Sequence, residues 1–354
     1  MSIFGDYYER NPSRGPAWDN KGSSLAADRR TLKSPLQMAV TIGTDTYFMT
    51  ASIEKDLDLA ASWDTTAGTD YTVAANRAGK DFYIYACQPT SGLAPTILVS
   101  AATTFPAGYD ANNSRKIGGF HCECADVGAI SGHALSGYLA GDILPRSIWD
   151  LKHCSAGPQA GMVWAGKTDF DSLNYAPIWV AIYLASGTGT STASVNGGTI
   201  SDNRNWMDFV DDFAAIGCRM LEDDEFQAIA SGSNEETNIN RSTDPGTTGG
   251  HVDSNGRRMI SNIGCEDCCG VLWQWLRTQS YKPPATPGWG WYDLPGSRGS
   301  LYNYGGAAGG ADTKLLAGGS WVDAAACGSR ARSAYYSRWD ANAVVGGRFV
   351  AEPQ

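Results

Sequence analysis

The segment Leu315-Leu-Ala-Gly-Gly-Ser-Trp321, continued by Cys327-Gly-Ser-Arg-Ala-Arg332, Arg338-Trp339 and Gly346-Gly-Arg-Phe349, sets glycine, tryptophan and arginine at irregular intervals near the end of the chain. Between these blocks lie Val322, Asp323, Ala324, Ala326, Ser333, Tyr335, Tyr336, Ser337, Asp340, Asn342 and Val344. A half-buried strand would alternate apolar and polar residues, and an amphipathic helix would repeat apolar ones every three or four. The intervening set does neither. The segment therefore reads as short strands at 315–321 and 348–350, joined by long loops.

Working upstream, Gly270-Val-Leu-Trp-Gln-Trp275 predicts another strand, and Trp206, Phe209, Val210, Phe213 and Ala214 follow a helical spacing that Gly217 stops. A second short helix is expected at 223–230, with the acids of 222–225 in its first turn, where the helix dipole favours them. The Ser/Thr/Gly tract 186–201 reads as loop. Ile178-Trp-Val-Ala-Ile-Tyr-Leu184 reads as a buried strand, and Gly161-Met-Val-Trp164 as the strand that opens this unit. Before it, β-type runs at 46–50, 71–73, 81–86 and 96–100 are separated by Gly, Pro and Asn and end near 141–147. The expected organisation is an extended arm over 1–35, a β-rich domain over 36–147, and an α+β unit over 148–354 containing the loop segment 315–350.

Charged residues make up 18% of the 354 residues, below the ~25% usual for soluble domains, while 42 are glycine, so the chain is lightly charged and loop-rich. Its 12 Trp, 16 Tyr and 10 Phe supply enough apolar surface for a core and exclude general disorder. A net charge of −10 argues against a whole-protein grip on nucleic acid or anionic lipid. No apolar run approaches the ~18 residues of a membrane span, and the first residues lack the basic and apolar regions of a signal peptide, so a chain made in the cytoplasm without membrane insertion is expected. Nine cysteines, an odd number over a long chain, are expected to be mostly reduced.

Three motifs look like chemistry. Gly161-Met-Val-Trp-Ala-Gly166-Lys167-Thr168 fits the phosphate-cradling pattern letter for letter, yet Met162, Val163 and Trp164 make a strand and no helix pattern follows. His121-Cys-Glu123 with Cys265-Glu-Asp-Cys268 resembles a zinc deaminase signature, but Gly264 replaces its proline and the halves fall in different expected domains. Cys265, Cys268 and Cys269 offer part of a zinc tetrahedron, with His251 the nearest further candidate and no second ligand pair. No metal and no cofactor are expected. His133 and His153 serve no nucleophile, and the acids at 208, 211 and 212 read as a solvated helix face.

In order along 161–351, Gly161-Met-Val-Trp164, Cys218-Arg-Met-Leu221 with Glu225-Phe226, Gly270-Val-Leu-Trp-Gln-Trp275, Leu315-Leu-Ala-Gly-Gly-Ser-Trp321 and Gly346-Gly-Arg-Phe349 resemble the formylglycine-generating-enzyme type of C-type lectin fold. The resemblance implies an α+β protein whose C-terminal C-type lectin-like domain is preceded by a smaller β-rich domain. Enzymes of that type carry two cysteines after the Gly-Gly-Ser-aromatic strand. Here Cys327 stands alone, with Arg332 or its neighbours where the second would fall, so a non-enzymatic member is expected. The alternatives are an oxidase acting on a cysteine and a sugar-binding lectin, the latter without the Glu-Pro-Asn and Trp-Asn-Asp calcium motifs.

Residues 315–350 are also similar to the variable region of proteins diversified by a diversity-generating retroelement, including phage receptor-binding proteins of the tropism-determinant type. There, fixed Gly, Ser, Trp, Cys and Arg alternate with positions copied from adenine-rich template codons, commonly asparagine. The resemblance implies that Val322, Asp323, Ala324, Ala326, Ser333, Tyr335, Tyr336, Ser337, Asp340, Asn342 and Val344 bind ligand, while the glycines, Trp321 and Trp339 hold the loop backbone. Tyr335 and Tyr336 suit such a role because tyrosine offers stiff amphipathic area at low entropy cost; the competing reading is that they and Trp339 are buried in a loop-rich core. The partner implied is a host cell-surface ligand, protein or glycan, met by a virion tail or fibre protein. The β-rich domain would then serve assembly on tail components and formation of a homo-oligomer, by analogy a trimer.

Overall fold

Short runs of alternating apolar residues pair into antiparallel sheets through the first part of the chain. The structure, a computed structural model, describes residues 18–20, 25–34, 38–49, 51–64, 68–150, 160–166, 177–280, 288–293, 300–305 and 313–352. It divides into two compact units. One takes the described residues up to Asp126 and again from Tyr138 to 150, and the other takes Val127–Gly137 and Ala160–Glu352.

In the first unit, β1 (Asp19–Asn20), β2 (Thr31–Lys33), β3 (Met38–Ile42), β4 (Asp45–Met49) and β5 (Glu54–Asp56) give a sheet β1-β2-β5 and a hairpin β3-β4. The hairpin turns at Gly43, where φ is 59° and a Cβ would lie 2.7 Å from the Asn112 carbonyl, so only glycine fits. β6 (Asp81–Cys87), β7 (Thr96–Ser100), β8 (Ser114–His121) and β9 (Trp149–Asp150) form a sheet in the order β7-β6-β8-β9. Their inward residues Phe82, Ile84, Val99 and Phe120 join Trp18 and Leu32 in one core. Residues 18–20 and 25–34 are thus built into this unit and are not an extended arm; the rest of the expected arm lies outside the described residues. The strand expected at 71–73 is a turn. Asp70 Oδ1 accepts from the Thr72 N–H at 3.0 Å and its hydroxyl at 2.6 Å, and that local bonding displaces a ladder and leads into α1 (Ala74–Arg77).

The second unit opens with β10 (Met162–Ala165) and β11 (Ile178–Ala181), both wholly buried. Gly161 has φ 68°, and a Cβ there would meet the Ser194 carbonyl at 2.0 Å, so this glycine serves backbone packing. That removes the phosphate-loop reading, although Lys167 and Thr168 lie outside the described residues. The helices follow the apolar spacing: α2 (Trp206–Ala215) and, after β12 (Arg219–Met220), α3 (Asp223–Ile229). Each starts with a capping box, Asn205 with Asp208 and Glu222 with Glu225, which satisfies backbone N–H groups the first turn leaves open. Then come β13 (Trp273–Ser280), β14 (Gly288–Asp293), β15 (Ser300–Gly305), β16 (Thr313–Gly318), β17 (Gly328–Ser333), β18 (Val345–Gly346) and β19 (Phe349–Ala351). One sheet has the order β10-β11-β19-β12 and the other β14-β15-β17-β16-β13-β18. The last strand therefore lies between the first strands of its own unit. The whole is β-rich with few helices, and no described helix is long and apolar enough to cross a membrane.

Candidate functional site

The two loops of 315–350 spring from a frame that the sequence motifs build. Gly318 and Gly319 have φ of 97° and 86°, and added Cβ atoms would lie 2.3 Å from the Cys268 carbonyl and 2.6 Å from Cys327 Sγ. Side chains are excluded at both positions on two counts. A Cβ added at Gly347 would lie 2.8 and 2.9 Å from the rings of Phe209 and Phe213, so these side chains of helix α2 leave room only for glycine there. Arg348 is fully buried. Its guanidinium donates to the Ala181 and Ile182 carbonyls at 2.7 and 2.6 Å, to Gln274 Oε1 at 3.0 Å, and to the Glu266 carbonyl. Gln274 in turn donates to the Asp267 and Cys268 carbonyls at 3.1 and 2.9 Å. One cation thus ties together β11, β13 and the 265–269 loop. Arg332 on β17 plays a smaller version of this part, bonded to the Ser329 carbonyl and Asp223 and lying 5.1 Å from the centre of the Phe226 ring.

The first loop, 319–327, is closed on itself. Asp323 accepts from the Ser320 N–H at 2.8 Å and from its hydroxyl, while the Trp321 N–H donates to the Val271 carbonyl at 2.9 Å. Ala324–Ala326 form a 3-10 turn. Below it Cys327 is buried with its thiol 3.3 Å from the Ser320 carbonyl, and burial pushes that thiol well above its ordinary range. A protonated, enclosed thiol lacks the thiolate that oxidation chemistry on cysteine requires.

The second loop, 334–344, crosses from β17 to β18. It is fastened at five points: the Ala334 N–H to the Tyr302 carbonyl at 3.1 Å, Lys314 N–H to Tyr336 carbonyl at 3.2 Å, Trp206 N–H to Arg338 carbonyl at 3.1 Å, Asn203 N–H to Asn342 carbonyl at 3.2 Å, and Trp273 N–H to Val344 carbonyl at 2.9 Å. Asp340 accepts from the Ser337 N–H at 2.7 Å and its hydroxyl at 3.0 Å, and Asn342 Oδ1 accepts from the Val344 N–H at 3.1 Å. Tyr335 stacks on Tyr302 at 6.2 Å and meets Tyr336 edge-on at 4.8 Å, and Tyr336 rests on buried Trp275 at 6.3 Å. The Tyr336 hydroxyl is raised above its ordinary pKa by burial, then by Tyr335 and by the carboxylates of Asp340 and Asp323, one from each loop. The two loops therefore act on one hydroxyl.

Of the residues expected to bind, Val322 (53% exposed), Tyr335 (42%), Ala324 and Asp340 face solvent. Asp323, Ala326, Tyr336, Ser337, Asn342 and Val344 are half-buried. Ser333 does not fit the expectation: it lies in β17 opposite Leu316, is buried, and turns its hydroxyl to the Tyr335 N–H. Trp339 corrects the sequence reading in the other direction. Expected to hold the backbone, it is 69% exposed, whereas Trp321 is half-buried against the Leu184, Ile200 and Val271 cluster. Tyr302 was also missed, since it stands outside the 315–350 segment and reaches the surface only through the β15–β17 pairing.

Asp323 and Asp340 are occupied by their own turns, so the groups left to meet a ligand are mainly aromatic and apolar faces on fixed backbone. That suits noncovalent recognition. His251, the nearest partner considered for the buried Cys265, Cys268 and Cys269, instead places Nδ1 3.0 Å from Asp267. Burial lowers its pKa, but Asp267 and then Glu266 outweigh burial and the net shift is upward.

Residues 26–150 match the family described as the Mtd second domain. Over 315 residues the chain is 28% identical to the tail fiber receptor-binding protein of Bordetella phage BPP-1, covering 81% of this chain and 74% of that protein. Among solved structures, the Major Tropism Determinant M1 variant superposes with a TM-score of 0.68 at 24% identity, over 97% of this chain and 84% of that one. The U1 variant gives 0.67 at 23%, with the same coverage. The chain shares the β-rich fold of the Major Tropism Determinant variants.

Proposed function

We propose that this chain is a non-enzymatic receptor-binding protein of a phage tail, which recognises a host cell-surface ligand through loops 319–327 and 334–344 on a C-type lectin-like scaffold. The observation that carries the site is the contrast in exposure: Val322 and Tyr335 face solvent while the Gly-Gly-Ser and Gly-Gly-Arg-Phe blocks beside them are buried. The similarity to a tail fiber receptor-binding protein supports the role. In this reading the loops are rewritten by a diversity-generating retroelement and the frame stays constant. The α+β second unit binds ligand, and the first unit attaches to tail components and associates with further copies, a trimer by analogy. Several copies on one particle would multiply a weak single-site affinity.

The test is competition. Purified chain, added in excess to cells of the strain the phage infects, is expected to block phage adsorption in proportion to its concentration. Unimpeded adsorption with saturating folded chain would overturn the reading.

A further inference from the structure

We propose that Cys265 and Cys268 are a dithiol poised to close into a disulfide, a modification site that locks the segment on which the frame converges. They end a C-x-x-C bend, with Asp267 at φ 58° between them. The Cys268 side chain folds back over the first cysteine, its Sγ 3.8 Å from the Cys265 carbonyl oxygen, and the Cys265 thiol donates a hydrogen bond to the Cys268 sulfur. Both residues are fully enclosed, so the fold itself holds the two sulfurs together. A disulfide needs Cα atoms within roughly 7 Å, the span of one tight turn, so closing this pair asks no distant strand to move.

The surroundings divide the pair into an attacking thiol and a second one. Burial pushes both up, but the bond from Cys265 and the charge of Arg348 outweigh it at Cys268, whose thiol lies below its ordinary range. Cys265, which gives that bond, stays well above. Burial likewise holds Cys269 and Cys327 well above. Oxidants react with the thiolate, so Cys268 is the first of these to be oxidised. With a peroxide, the Cys268 sulfur attacks one oxygen, the O–O bond breaks, and the other oxygen leaves as hydroxide and takes up the proton lost from Cys268, leaving a sulfenic acid and one water. The Cys265 sulfur then attacks Cys268. The S–O bond breaks, and the hydroxide leaves with the Cys265 proton as a second water. Two thiols are oxidised, one peroxide is reduced to two waters, and one S–S bond forms.

The place of the bond gives it its effect. Arg348 donates to the Glu266 carbonyl and Gln274 to those of Asp267 and Cys268, so β13 and the block after the second loop both end on this segment. Gly318, which leads into the first loop, lies against the Cys268 carbonyl. In the receptor-binding reading the chain passes from a reducing cytoplasm to a virion surface, a setting in which disulfides persist. The bridge then stiffens the support of both loops without touching a displayed side chain.

The test treats the folded full chain with hydrogen peroxide, alkylates the remaining thiols in denaturant, and maps the peptides by mass spectrometry. The peptide holding Cys265 and Cys268 is expected to be lighter by two hydrogen atoms and unalkylated at both, with Cys269 alkylated. The unfolding temperature is expected to lie about 5 °C above that of the reduced chain. In Cys265→Ser and Cys268→Ser, peroxide is expected to leave the unfolding temperature where it was. If 265 and 268 are still alkylated once the partly exposed Cys124 and Cys218 have been oxidised, or if the bridge runs to Cys269 or Cys327, the dithiol is overturned. A bridge that forms without raising the unfolding temperature overturns the lock. No cells enter this experiment, so its failure leaves the receptor-binding reading to be decided by competition for adsorption.

Discussion

Residues 334–344 and 346–349 are one residue apart in the chain, yet they use their polar groups in opposite ways. In 346–349 a single buried guanidinium is shared among four acceptors on distant strands and loops, and the two glycines make room for the side chains of Leu272, Phe209 and Phe213. In 334–344 the side-chain bonds of Ser337, Asp340 and Asn342 close locally within three residues, and attachment to the rest of the fold runs through backbone carbonyls and N–H groups. A loop attached by its backbone can exchange side chains without losing its anchorage. A segment attached by one side chain cannot.

The largest effect is expected at Arg348. Arg348→Met keeps the apolar stem but removes the guanidinium donors to the Ala181, Ile182 and Glu266 carbonyls and Gln274 Oε1. A loss of about 3 kcal/mol or more in chemical denaturation is expected, with binding lost only in step with the folded fraction. A near-neutral variant would break the distinction between frame and display.

A smaller effect sharpens the frame side of the comparison. His251 is paired with Asp267, the residue whose carbonyl Gln274 holds. The folded state keeps the imidazole proton to higher pH than the unfolded chain does. This contribution to stability is therefore full below the ordinary imidazole pKa of about 6.5 and fades as pH rises through the raised folded value. Unfolding temperature measured from pH 6 upward is expected to decline for the unchanged chain relative to His251→Gln. Parallel curves would show that the pair contributes nothing.

Much of this division is legible in the sequence. The helical spacing of Trp206, Phe209 and Phe213 gives α2, and the Gly-Gly pairs mark places that leave no room for a side chain. The loops resist reading because exposure there has no period. Trp339 looks like a frame residue by type, and only the turn between Ser337 and Asp340 shows that it points away. Ser333 looks like a display residue by type, and only the register of β17 against Leu316 shows that it is enclosed. At 70–72 an aspartate bonded two residues ahead overrides a β-type run. These outcomes depend on pairings across the chain or on a single side-chain bond, neither of which composition records.

The most direct test of the account pairs two readouts on the double variant Val322→Ser/Tyr335→Ser: thermal unfolding and binding to cells of the strain the phage infects. The expected result is an unfolding temperature within about 2–4 °C of the unchanged chain, as surface substitutions allow, together with at least tenfold weaker binding. Retained binding, or a collapse of stability that accounts for its loss, would contradict the separation of a variable display from a fixed frame.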